Sequence, residues 1–155
     1  MQNALLMAVF LVITNTAMAG KKSTPAKERF VPVVEGIKDN VQKLIWAKAD
    51  NGKDIGWTDA KRYCADKGKG WQLASGTALQ SLYKAGGNFP QKMDYNGTDY
   101  VLKLATPLIK LSGGGFWSDE KNDFGVWGVN LADGTRYTFR FDALNFTRAL
   151  CVRPF

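Results

Sequence analysis

Trp57-Thr58-Asp59-Ala60-Lys61-Arg62-Tyr63-Cys64 and, far along the chain, Leu150-Cys151-Val152-Arg153 are the stretches on which the reading of this sequence turns. The first predicts a helix. Thr58 is a good N-cap, because its hydroxyl can accept an orphan N–H, and Asp59 suits the positive end of the helix dipole. Trp57, Ala60 and Cys64 fall on one helical face with Tyr63 beside them. Gly68 and Gly70 end the helix. Trp71 to Ala74 then reads as a strand or an extended lead-in. Ser75 caps a second helix with Leu79, Leu82 and Tyr83 on its inner face. Gly86-Gly87 stops it.

Working outward, Val41 to Ala47 reads as a strand ending at Trp46, and Asp50-Asn51-Gly52-Lys53 as a turn. Phe30 to Val34 is a short strand interrupted by Pro32, and Glu35 to Asn40 a turn or short helix. Downstream, Asn88 to Gly115 is long, mixed in character and bounded by glycines. Short strands at Tyr100 to Leu104 and Leu108 to Leu111 are its only regular candidates. So little pattern over such a length marks either functional surface or a plain insertion. The last third reads as β structure. Gly115 to Ser118 begins it. Val126 to Leu131 and Thr135 to Phe141 flank the turn Ala132-Asp133-Gly134, and Arg148 to Val152 closes it. Trp46, Trp57, Trp71, Leu79 and Leu82 are the expected structural core.

At the N-terminus, Ala4 to Ile13 is an unbroken apolar run. It is shorter than the roughly 20 residues a membrane-spanning helix needs. Ala17-Met18-Ala19 follows, a pattern that suits signal peptidase. Residues 1–19 therefore read as a signal peptide, although Met1 to Asn3 carry no Lys or Arg; a buried helix is the alternative. Residues 20–40 are the expected N-terminal tail and lead-in, and 41–155 the folded domain. The mature chain is expected in the periplasm or outside the cell, with no transmembrane segment. Export would place Cys64 and Cys151 in an oxidising compartment, where an even pair implies one disulfide. Two free buried thiols are the alternative. Closing so long a loop stabilises by roughly 4–5 kcal/mol.

The net charge is +7, with 21 Lys and Arg against 14 Asp and Glu. That balance favours acidic partners, although charge spread this widely also serves solubility. Nucleic acid is not expected among them. The sequence has no histidine. That excludes Ser-His-Asp and Cys-His nucleophile systems and His-based zinc sites. There is no phosphate-binding glycine fingerprint, and Gly113-Gly114-Gly115 reads as a loop. Asp119, Glu120 and Asp123 cluster after Trp117. A solvated loop is their first reading; a weak calcium site and paired-carboxylate catalysis are the others. No metal or cofactor is expected, and no enzymatic activity.

Trp117 and Trp127 lie in the β region, where a flat indole can stack on a sugar ring; burial in the core is the alternative. Arg136 and Arg140, four apart, share a strand face. With Arg148, they suit sulfate, phosphate or carboxylate recognition, or form an ordinary solvated face. The candidate ligand-binding residues are therefore Trp117, Trp127, Arg136, Arg140 and Arg148.

Taken in order, Trp57 to Ala60, Tyr63-Cys64, Gly70 to Ser75, Leu79 with Leu82, Phe116-Trp117-Ser118, the Gly128 to Gly134 hairpin and Leu150 to Arg153 resemble a family. It is the C-terminal domain family of bacterial collagen-like adhesins, and the likeness covers residues 43–155. The family pattern has a Trp-x-x-Ala helix ending in Tyr-Cys, a Gly-x-x-Trp-Arg-Leu-Pro-Thr stretch, a Glu-Leu-x-x-Leu helix, a Trp-Ser-Ser strand and a closing Arg-Cys-Val-Arg. Departures are Gln72 for Arg, Ala74 for Pro, Ala78 for Glu, Asp119 for Ser and Leu150 for Arg. The resemblance implies an α+β, C-type-lectin-like fold: two helices packed on a twisted antiparallel sheet, with Asn88 to Gly115 as a long loop region for ligands. It also implies that Cys64 pairs with Cys151. The calcium-and-sugar motifs of true lectins are absent. Members of the collagen-like adhesins bind sulfated glycosaminoglycans, with which a +7 chain is compatible.

The leading expectation is an exported, non-catalytic recognition module for an anionic glycan or a protein surface, with a role in adhesion. A periplasmic inhibitor or immunity protein with one protein partner is the second. An enzyme like the formylglycine-generating enzymes is the third, and it would need reactive cysteines where these look structural.

Overall fold

Cys64 and Cys151 form a disulfide, 87 residues apart in sequence with Cα atoms 5.3 Å apart. This is seen in a computed structural model that describes residues 28–87, 89–95, 98–140 and 147–155. The expected signal at 1–19 and the basic stretch from Gly20 to Lys27 lie outside the described residues.

The elements run β1 (Phe30–Pro32), β2 (Ile37–Asp39), β3 (Leu44–Trp46), α1 (Trp57–Ala65), β4 (Gln72–Leu73), α2 (Gly76–Leu82), β5 (Phe89–Tyr95) and β6 (Thr98–Leu104). They continue with β7 (Gly115–Asn122), β8 (Gly125–Asn130), β9 (Arg136–Phe139), β10 (Thr147–Arg148) and β11 (Cys151–Pro154). Three sheets result: β1-β2-β3-β11-β4, β10-β7-β8-β9, and the β5–β6 hairpin. The first is antiparallel throughout. In the second, only β10 runs parallel to its neighbour β7.

This overturns the expected α+β, C-type-lectin-like arrangement. Among the described residues strand outweighs helix, 42% to 14%, and the strands form several sheets, one of them curled into a half-barrel. The helices span nine and seven residues, too short for a helical layer across a single broad sheet. The long loop expected from Asn88 to Gly115 is largely a hairpin with seven paired positions from Phe89↔Leu104 to Tyr95↔Thr98. Its physical cause is period two: Leu102 and Leu104 turn inward and are buried, while Val101 and Lys103 turn outward. Glu35 to Asn40, expected as a turn or short helix, holds strand β2. Thr58 is not the first cap: Gly56 takes that position, with no side-chain cap bond. Ser75 does cap α2, accepting the Ala78 N–H at 3.1 Å. Pro32 sits in β1 at the sheet edge, where a missing N–H costs no ladder bond.

Two apolar clusters fill the interior. One gathers Trp46, Leu79, Leu82, Leu102, Phe116, Val129 and Leu150 between the sheets and α2. The other surrounds the disulfide with Ala60, Leu73, Trp117 and Val126. Each fully buried large side chain contributes about 1.5–3 kcal/mol. Trp57 and Trp71 are half-buried against the second cluster. Gly36 permits a close approach: a Cβ there would lie 2.1 Å from the Trp46 carbonyl oxygen.

Candidate functional site: an aromatic groove with a polar end

A groove of about 310 Å³ opens between the β5–β6 hairpin and one face of the four-stranded sheet. Strand alternation builds its wall. Val126 pairs with Phe139 and Gly128 with Tyr137, so the two aromatic rings share a face. They meet edge to face, 4.7 Å apart. Gly128 makes the room: a Cβ there would meet the Phe139 ring at 2.9 Å and the Tyr137 ring at 3.1 Å. Phe139 leans in turn on Trp117, 4.9 Å away. From the other side the hairpin supplies Met93, Tyr100 and Leu102. Met93 and Tyr100 are cross-strand partners. Tyr100 is 45% exposed and Leu102 fully buried, so the wall grades from core to a ring that solvent reaches. Such a cleft is at the small end of those that take small-molecule ligands.

One end of the groove is polar. Arg148 forms an ion pair with Asp54 and donates from Nε to Ser112 Oγ at 3.2 Å. Ser112 donates its N–H and its hydroxyl to Asp50, at 2.6 and 2.7 Å. Asp50 also accepts the Gly52 N–H at 2.8 Å. Asn51 accepts the Ala149 N–H at 2.7 Å. The turn after Asp50, the glycine run and β10 are therefore one hydrogen-bonded unit. Gly113 lets the Arg148 side chain lie against the backbone, because a Cβ there would meet its Cγ at 2.6 Å. Gln91 donates to the Leu111 carbonyl and ties the hairpin to the same unit. Burial first, and Asp133 second, push the Tyr137 phenol up to about 12. It stays an O–H donor at ordinary pH.

The residues expected to bind ligand do not converge. Trp117 is a correction: it is fully buried, and its indole N–H donates to the Ile55 carbonyl at 2.6 Å, so no ligand can stack on it. Trp127 is half-buried on the sheet face opposite Tyr137. There the Arg136 guanidinium covers its ring at 4.8 Å and pairs with Glu120. Arg140 is exposed just beyond β9. Arg148 alone of the five lines the groove.

The acidic cluster is also dispersed in role. Glu120 accepts the Gly76 N–H at 3.1 Å and holds Arg136, and Asp123 is exposed. Asp119 has one carboxylate oxygen buried without a partner; burial first, and Glu120 second, raise its pKa. No group of three acidic or cysteine side chains could hold a metal ion among the described residues.

Sequence reading missed Tyr100, Tyr137, Phe139, Ser112 and Asp54. Strict alternation in Arg136-Tyr137-Thr138-Phe139 was the available signal for two of them. Asn96-Gly97, a strong hairpin dipeptide between apolar alternations, was the signal for the strand carrying Tyr100. Asp54 and Ser112 carry no local signal, because distant loops bring them together. No family model, no curated protein and no solved structure matches this chain.

Proposed function

We propose that this protein is a non-catalytic recognition module whose groove takes a sugar ring of a glycan, with acidic glycans preferred. The observation that carries this is the groove wall itself. Tyr100, Tyr137 and Phe139 offer aromatic surface to ring C–H groups, and Arg148 and Tyr137 line the same groove as donors for hydroxyl or acid substituents. Asp54 is the one carboxylate of the groove wall among the described residues, and Arg148 neutralises it. Glycoside hydrolysis ordinarily needs two carboxylates facing each other, which supports binding over turnover. The +7 charge supports a preference for acidic chains.

Export is part of this reading. A disulfide fits an oxidising compartment, and among the described residues no helix is long and apolar enough to cross a membrane. The apolar run from Ala4 and the Ala17-Met18-Ala19 pattern support a signal peptide. The order of motifs from Trp57 to Arg153 supports kinship with the C-terminal domains of collagen-like adhesins, although without their expected fold.

The test is a glycan array probed with the disulfide-bonded protein at low and high salt. Binding that Tyr100→Ala weakens by roughly fivefold, about 1 kcal/mol, is the expected result. No binding under any condition moves a protein partner to first place.

A further inference from the structure

Among the described residues that line the aromatic groove, Asp54 and Arg148 are the only charged ones, and they are set against each other. Arg148 Nε is spent on Ser112. Its Nη1 lies buried against Asp54 without an aligned hydrogen bond. Nη2 makes no hydrogen bond among the described residues. Asp54 keeps 42% of its side chain exposed and accepts no hydrogen bond from a described residue. This end of the groove therefore places an acceptor beside a donor, with no net charge.

The pair is held in place. Before Asp54, Asn51 donates its N–H to the Ala149 carbonyl at 3.2 Å and accepts the Ala149 N–H at 2.7 Å. After it, Ile55 donates its N–H to the Thr147 carbonyl at 3.1 Å and accepts the Trp117 indole N–H. Thr147 and Ala149 flank Arg148, so the loop that carries Asp54 is bonded on both sides to the segment that carries Arg148. Groups fixed in this way lose little freedom when a ligand arrives.

A hydroxyl both donates and accepts, whereas a carboxylate or sulfate only accepts. An anion at this end would gain Arg148 but meet the Asp54 carboxylate, and would have to leave water to do so. Two neighbouring hydroxyls of a pyranose suit both groups at once: one donates to Asp54, and the other accepts from Arg148 Nη2. We infer that Asp54 determines the specificity of the groove, admitting an uncharged vicinal diol and rejecting a ring that carries an anionic group in its place. The inference rests on the glycan reading above and narrows it: the acid groups of a preferred chain lie outside the groove, drawn by the net charge of +7.

The test uses the whole disulfide-bonded protein, with carbon-13 in its tyrosine rings, and follows the signals of Tyr100 and Tyr137. The probes are the methyl pyranosides of glucose, galactose and mannose. Each is compared with two derivatives blocked at the middle of the consecutive ring hydroxyls, which both vicinal pairs share: one sulfated, one methylated. In the wild type, at least one parent glycoside should move both signals, and its sulfate should bind about tenfold more weakly. The methyl ether, which has lost the donor but carries no charge, should also bind more weakly than the parent. In Asp54→Asn, which frees Arg148, the sulfate should bind more tightly than the parent; Asp54→Ser is the second variant, should Asn here lower the melting temperature. A wild type that takes the sulfate as well as the parent overturns the inference and leaves the glycan reading standing. So does a preference for the parent that both substitutions leave unchanged. If no glycoside or derivative moves either signal, the glycan reading falls and this inference with it.

Discussion

Trp117 and Trp127 show how little a residue type says before its face is known. They sit on adjacent strands of one sheet, on opposite faces. Trp117 spends its indole N–H on Ile55 and its ring on Phe139; Trp127 lies under Arg136. Trp117→Ala should therefore lower unfolding free energy by about 3–5 kcal/mol, the usual cost of emptying an aromatic core site. Trp127→Ala should cost less than about 1 kcal/mol. Urea unfolding of both variants checks the pair; equal losses would contradict the assignment of faces.

Asp39 is the residue with a pH signature. Burial alone would raise its carboxyl above the ordinary 3.8, but the Arg29 hydrogen bond and the Gln42 and Val41 N–H groups outweigh burial and hold it lower. The unfolded chain then takes up this proton first as pH falls. The stabilisation is complete above about pH 4 and is lost as pH drops through the lower folded value. Asp39→Asn should cost about 2–3 kcal/mol at pH 7 and nearly nothing in strong acid. A loss that does not shrink with acid would remove the carboxylate from this role. Asp119, raised where Asp39 is lowered, works in the opposite direction: its ionisation costs stability as pH rises.

At the scale of elements, α1 and β11 stand or fall together. The Cys64–Cys151 bridge ties a nine-residue helix, with no side-chain cap, to the strand between β3 and β4. Cys64→Ser/Cys151→Ser should destabilise by roughly 4 kcal/mol, on the chain-entropy account. Amide exchange should quicken first in α1. Exchange that quickens in the β5–β6 hairpin instead would mean that the bridge supports a different unit. The elements also show what was legible in sequence. Ser75 as a cap, the turn at Ala132-Asp133-Gly134 and the strand opening at Gly115 follow from local chemistry, and the structure has them. The β5–β6 hairpin did not stand out, because Pro90, Lys92 and Lys103 break the apolar count although the period of two is intact. β2 did not stand out either. Asp39 looks like a turn residue until Arg29 is placed beside it.

Over the whole molecule, the two ends of the reading fared differently. The pairing of Cys64 with Cys151 was accessible from sequence, because only one pair exists. The groove was not. Asp54, Tyr100, Ser112, Tyr137 and Arg148 come from five separate segments, and no local pattern announces residues that only tertiary closure makes neighbours. The expected C-type-lectin-like fold failed at the same scale: motif order constrains which elements exist more tightly than it constrains how they pack.

One feature of the five-stranded sheet bears on how the protein is made. β11, last in chain order, is not an edge strand but fills the slot between β3 and β4. During synthesis both neighbours emerge first, each with one edge left open for it. Pairings this distant in sequence form slowly, and open edges invite pairing with other chains in the interval. Assembly of the sheet is therefore gated by the docking of β11, and until it docks the chain depends on protection of the facing β3 and β4 edges.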